Sequence, residues 1–254
     1  MPVKPAELER VIVDTTVQGK AVAWPSDSRL LEVACAGLNV KQTYEREGKS
    51  LRRRTGGYAH TKQFKRLRKV LKRQHTVLGR LLRDIGRRMV QLPQAAQEQL
   101  QSWMQRAERI RNQKPKDKDK LYALHAPEVE CISKGKARQR YEFGVKVSIA
   151  LAERASLIVG ARGMSGNPYD GHTLAEQLEQ TTILLQDIAV KPKTVIADLG
   201  YRWVDADIDQ VELVHRGKSR ALTREQRRWL KRRQAVEPVI GHLKADNGMR
   251  RWPP

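Results

Sequence analysis

The chain has 254 residues, and 50 Lys and Arg against 28 Asp and Glu give it a formal net charge of +22. Such an excess repels itself unless a polyanion, most commonly a nucleic acid, neutralises it. With 39% apolar residues there is enough for one large domain or one domain with a substantial insertion. The two cysteines, Cys35 and Cys131, lie far apart and argue against a disulfide framework or zinc cluster. No apolar signal core opens the chain, and no uncharged run approaches the roughly 20 residues of a membrane span. The expected setting is a reducing cytoplasm, in association with the nucleoid, with no membrane partner.

In chain order, residues 10–18 (Arg-Val-Ile-Val-Asp-Thr-Thr-Val-Gln) read as a β-branched strand with Asp14 near its end, and residues 20–24 as a second strand closing a hairpin over Gly19. From about Arg29 to Arg111 the pattern turns helical and polar, with interruptions at Gly56-Gly57 and Pro93. Leu67, Val70, Leu71, Leu78, Leu81, Leu82 and Ile85 follow a 3.6-residue period, which predicts two to four amphipathic helices. A charged connector over 114–120 precedes strand character at Leu121–Ser133, Tyr141–Leu151 and Leu157–Ala161. A helix is predicted over Thr173–Ile188, capped near Asp170 or His172. Strands follow at Thr194–Asp198 and Val211–His215, and the tail from Thr223 is a basic helix with a bend or fresh start near Glu237 and Pro238. Strands, a helical block, strands and covering helices predict an α/β core with an all-helical insertion.

Two acids sit at strand ends in similar settings, Val-Ile-Val-Asp14-Thr and Val-Ile-Ala-Asp198-Leu-Gly, and a third, Glu237, lies in a basic helical tract. Taken singly, a strand-end Asp reads as a turn or cap residue, and a Glu among arginines as an ion-pair partner. Together, three carboxylates suit one or two hard divalent cations, and a metal pair can activate the attacking oxygen and stabilise the leaving 3′ oxygen of a phosphodiester. The runs Arg52–Arg54, Lys62–Arg73 and Arg227–Arg233 read as a phosphate track or as solvated helix faces. His172 reads as a polar contact or a cap. Trp24, Trp103, Trp203, Trp229 and Trp252 read as core, with base stacking as the alternative.

Five blocks, Val-Asp14-Thr-Thr-Val-Gln, Tyr141-Glu-Phe-Gly-Val-Lys-Val, Gly166-Asn-Pro-Tyr-Asp-Gly-His-Thr-Leu, Ala-Asp198-Leu-Gly-Tyr and Glu237-Pro-Val-Ile-Gly-His-Leu-Lys244, resemble bacterial insertion-sequence transposases of the DDE type, in the branch called the IS-five group. The last block is the most specific: Arg233, Glu237 and Lys244 match the spacing of that family's signature around its catalytic Glu. The signature's usual Tyr, three positions before the Arg, is Leu230 here. The resemblance implies an RNase H-like mixed sheet flanked by helices, with Asp14, Asp198 and Glu237 as catalytic and metal-binding triad for Mg²⁺, or Mn²⁺ in its place. It also implies DNA contacts by Arg233, Lys244, His242 and Tyr201, double-stranded element ends and target DNA as partners, and a homodimer at synapsis. The alternatives are a nuclease on the same fold and a catalytically silent DNA-binding remnant.

The expected division is first core strands at 1–28, helical insertion at 29–120, and the rest of the core with C-terminal helices at 121–254. Relatives of this kind usually carry a helical end-recognition region before the first strand and continue beyond the Lys of the signature. The expectation is therefore a copy shortened at both ends.

Overall fold

The computed structural model describes residues 3–37, 44–134, 140–202, 208, 210–218 and 221–249. The chain divides into two compact units, one made of Met1–Ala21 with Glu130–Pro254 and the other of Val22–Val129.

The first unit is a mixed six-stranded sheet flanked by helices, the RNase H-like arrangement. Its strands are β1 (Arg10–Gly19), β2 (Glu130–Ser133), β3 (Tyr141–Ala152), β4 (Ile158–Met164), β5 (Thr194–Ile196) and β6 (Glu212–Val214). The sheet runs β2-β3-β1-β5-β6, with β4 pairing the same side of β3 as β2 does. β1 is antiparallel to β3 and parallel to β5, and β6 extends the parallel half. Alternation along β1 assigns the faces. Val11 and Val13 join Ala150, Leu174 and Leu178 in a core against α5 (Leu174–Leu184). Ile12 joins Leu151, Ile196, Leu230 and Val236 in a second core against α6 (Arg224–Arg232) and α7 (Val236–Ala245).

Local chemistry fixes the last two helices. Thr223 caps α6 in a capping box with Gln226. A single 3-10 turn over Arg233–Ala235 separates α6 from α7, and Pro238 falls in the first turn of α7, where a missing N–H costs nothing. The end of α6 is tied to the sheet by a charged cluster. Glu153, beyond β3 and only 6% exposed at its side chain, lies 3.5 Å from Arg10 Nη1 and 3.4 Å from Arg232 Nε. Arg232 also donates to the carbonyls of Glu153 and Arg154, both at 2.8 Å. The Arg10 guanidinium stacks 3.7 Å above the Trp229 ring.

The second unit holds α1 (Asp27–Gly37), α2 (Glu45–His60), α3 (Phe64–Met89) and α4 (Gln94–Asn112). Leu30, Leu31, Val77, Leu78, Leu81, Ile85, Ala107 and Ile110 form its core, with Leu121 and Leu124 from the segment after α4. Burial holds the Cys35 thiol at about 12, so it is no nucleophile at neutral pH.

Three local expectations need correction. No hairpin forms at 20–24: Gly19 pairs with Gly144 and the Lys20 N–H donates to the Phe143 carbonyl, so β1 stays with β3 instead of folding back. Gly56 and Gly57 lie inside α2, which continues to His60 because Leu51 and Thr55 give it a buried side. In the stretch Leu121–Ser133 only the last four residues are strand. Leu121, although buried, has its N–H and carbonyl satisfied by the side-chain amide of Gln113 rather than by a neighbouring strand.

Candidate active site

Register brings the two aspartates together. Ile12 and Ile196 are partners in the parallel β1/β5 pair. Asp14 and Asp198 each follow two residues later, on the face that carries Ile12 and Ile196. Asp198 lies just past the end of β5, whereas Asp14, expected near a strand end, sits midway along β1 opposite Ile149 because β3 keeps β1 paired as far as Gly19. Both are half-buried. The Asp14 carboxylate accepts from the Thr15 N–H at 2.8 Å and from Arg233 Nη1 at 3.3 Å. The Asp198 carboxylate accepts from the Gly200 N–H at 2.7 Å, capping a 3-10 turn over Leu199–Tyr201.

A third carboxylate, Asp170, arrives from the 3-10 turn ahead of α5. It accepts from Thr15 Oγ1 at 2.8 Å and from Lys146 Nζ at 2.9 Å, and the same ammonium donates to the Pro168 carbonyl at 2.6 Å. Gly200 fits tightly here: a Cβ at that position would lie 2.9 Å from Asp198 Oδ1 and 3.2 Å from Asp170 Oδ2. In sequence Asp170 reads as a helix cap, and neither Thr15 nor Lys146 stands out as a site residue. The signal available was a Lys on the face of β3 that also carries core residues Ala150 and Ala152, where a largely buried cation needs an anion.

Burial pushes the Asp14 carboxyl above its ordinary value. The Arg233 guanidinium opposes that shift, while Asp198 and Asp170 add to it by repulsion. Tyr201 is 1% exposed, and burial together with the charges of Asp14 and Asp170 pushes its phenol well up. Its enclosed hydroxyl makes no hydrogen bond among the described residues. Expected to touch DNA, Tyr201 instead packs in the core beneath the carboxylates, where no duplex can reach it.

Glu237 stands exposed in the first turn of α7, and the charges that act on Asp14 come from Arg233, Asp198 and Asp170. Glu237 and Lys244 are seven residues apart and share one face of α7, away from buried Val236. His242 is exposed and pairs with Asp246 at 2.8 Å. His172 is exposed against the edge of Tyr169. Trp24 is exposed, Trp103 packs on the helical core and Trp229 lies under Arg10. Trp203 and Trp252 lie outside the described residues.

The donor chemistry fits a hard divalent cation: oxygen ligands, partly desolvated, whose mutual repulsion a cation would relieve. Among the described residues, no three His, Cys, Asp or Glu side chains are gathered closely enough to hold a metal ion as they stand. Among the described residues no helix is long and apolar enough to cross a membrane.

Comparison with known proteins agrees with this architecture. The family described as "Transposase DDE domain" matches residues 125–253, just over half of the chain. An uncharacterized protein of Rhizobium meliloti, ORF8 in the nfe locus, is 44% identical over 70 residues, covering 24% of this chain and 34% of that protein. The chain thus spans about a third of the length of this curated relative. No solved structure matches. DDE transposases act on DNA and generally use divalent metal ions. By its family match and its RNase H-like sheet, this chain belongs to the DDE transposases.

Proposed function

We propose that the chain catalyses metal-dependent cleavage and strand transfer of insertion-sequence DNA, with Asp14, Asp198 and Glu237 as its catalytic triad. The observation that carries this reading is the register of β1 and β5, which sets two aspartates side by side next to a basic helix pair. Asp14, Asp198 and Glu237 would hold Mg²⁺, or Mn²⁺ in its place, which when bound stabilises charge on a phosphodiester under attack. The Gly200 amide orients Asp198, and Arg233 together with the Thr15 amide orients Asp14. Lys146 and Thr15 fix Asp170, which adds negative charge beside the pair. Tyr201 seals the site from below and keeps water off the buried side of the carboxylates. Arg233 and Lys244 would bind the phosphates of the element end, with His242 at the rim. Synapsis of two DNA ends by a homodimer, on nucleoid DNA, belongs to the same reading.

One observation favours a second reading, a DNA-binding chain without cleavage. An arginine pairs with the Asp14 carboxylate, and among the described residues no three carboxylates are gathered closely enough to hold a metal ion. The test incubates duplexes bearing the element's inverted-repeat ends with Mg²⁺ or Mn²⁺ and compares the chain with Asp198→Ala. Cleavage and joined product from the parent chain, both lost in the variant, are expected. Cleavage without joining would identify a nuclease, equal activity in both would refute the triad, and none in either would select the second reading.

A further inference from the structure

Helix α3 carries a line of cations that the catalytic site does not use. Lys65, Lys69, Lys72, Arg80, Arg83 and Arg87 recur at intervals of three, four or, across Thr76, eight residues, so all six fall on one helical stripe. Every one is exposed, while on the opposite side Val70 is buried and Val77, Leu78, Leu81, Leu82 and Ile85 enter the core of the helical unit. At 1.5 Å per residue the stripe is about 33 Å long, close to the rise of one turn of B-form duplex, about 34 Å.

Its lack of counter-charge separates it from an ordinary solvated face. Asp84 is the single acid in α3 and pairs with Arg87. Glu47 of α2 pairs with Arg73, beside the stripe, and its field reaches Arg80. Among the described residues, Lys65, Lys69, Lys72 and Arg83 have no ion-pair partner. By contrast, α4 in the same unit intersperses Glu98 and Glu108 among its arginines. Like charges three and four residues apart oppose helix formation unless something neutralises them. The apolar side of α3 is already buried in its own unit, so no apolar face remains for lying in a lipid surface.

We propose that this stripe is a non-sequence-specific binding surface for the phosphate backbone of double-stranded DNA, separate from the catalytic carboxylates. It uses the family assignment only to choose DNA over RNA. Binding through such a surface releases counterions, and each phosphate contact contributes about −0.9 to the slope of log affinity against log salt.

The test measures anisotropy of a labelled random-sequence duplex of about 20 base pairs, two helical turns, titrated with the full chain in EDTA at several salt concentrations. The stripe variant is Lys65→Gln with Lys69→Gln and Lys72→Gln. Its control is Lys114→Gln with Lys116→Gln and Lys118→Gln, exposed lysines interleaved with Asp117 and Asp119. The stripe variant should lose two to three units of slope and at least about tenfold in affinity, with the control within about twofold of the parent. Arg at the same three positions should restore binding, and removing like charges should leave the helical circular dichroism intact. The proposal is overturned if stripe and control variants bind equally, or if single-stranded RNA or phosphatidylserine vesicles depend on the stripe while duplex DNA does not. Because EDTA removes any metal, stripe-dependent binding by a chain that never cleaves would refute the catalytic proposal alone.

Discussion

Replacing Glu153 by Gln keeps the side-chain volume and two polar atoms but removes the charge that Arg10 and Arg232 share. Losing one member of a fully buried ion pair costs about 3–5 kcal/mol, whereas exposed pairs contribute about 0–1 kcal/mol. Glu153 is 6% exposed but its partners are 25% and 47% exposed, so water takes up part of the lost attraction. Arg232 also keeps its two backbone acceptors, because both are carbonyls. The expected loss is therefore about 1–2 kcal/mol, or a fall of roughly 3–6 °C in Tm for a unit of this size. Arg232 is adjacent to Arg233, so slack at Glu153 passes directly to the residue that holds Asp14. Urea denaturation by tryptophan fluorescence measures the stability, and hydrogen exchange of α6 and α7 amides measures the loosening. Unchanged or increased stability in Glu153→Gln, with unaltered exchange in α6, would overturn this role for Glu153. It would mean that desolvating Glu153 cancels what its partners return.

Two further expectations concern titration. The folded-state value of Asp14 is raised, so its contribution favours the fold below the ordinary carboxyl range and is lost as pH rises through the folded value. At about pH 7 in EDTA, Asp14→Asn should therefore raise Tm above the parent while abolishing any stabilisation by added Mn²⁺; calorimetry with and without the metal checks both. His75 is depressed by burial, with the Arg111 charge adding to the effect. Its contribution is fully present above the ordinary value of 6.5 and is lost as pH falls below it toward the folded value. His75→Gln should flatten the decline of helical-unit stability between about pH 7 and 5, and an equally steep decline in the variant would sink the assignment.

Much of the sheet was legible because it rests on strong local signals. β1 and β3 carry long β-branched patterns, and the predicted strands at 10–18 and Tyr141–Leu151 lie within a residue or so of the observed Arg10–Gly19 and Tyr141–Ala152. The α3 core face followed from helical period alone. What failed was decided at a distance. Lys20 went to β3 rather than to a hairpin because of a partner more than a hundred residues away, and Leu121 is buried through a Gln side chain that no strand pattern reveals. At the site, an apolar run leading into an Asp marks both Asp14 and Asp198, but only Asp198 stands at a strand end; Asp14 lies within β1, which β3 extends to Gly19. Asp170, Thr15 and Lys146 meet only because one loop crosses the sheet face, and no spacing encodes that meeting. The family resemblance implies a DNA contact for Tyr201, yet the turn capped by Asp198 carries it inward.

The placement of the helical unit between β1 and the rest of its sheet also sets a timetable. On the ribosome β1 emerges first, and its partner β3 follows only after the whole of Val22–Val129. At about 5–20 residues per second, Val11, Ile12 and Val13 wait on the order of ten seconds for a neighbouring strand. The helices meanwhile close through local contacts and fold quickly. A β-branched segment left single for that interval is the part of the nascent chain most exposed to aggregation, and the part a chaperone would be expected to hold.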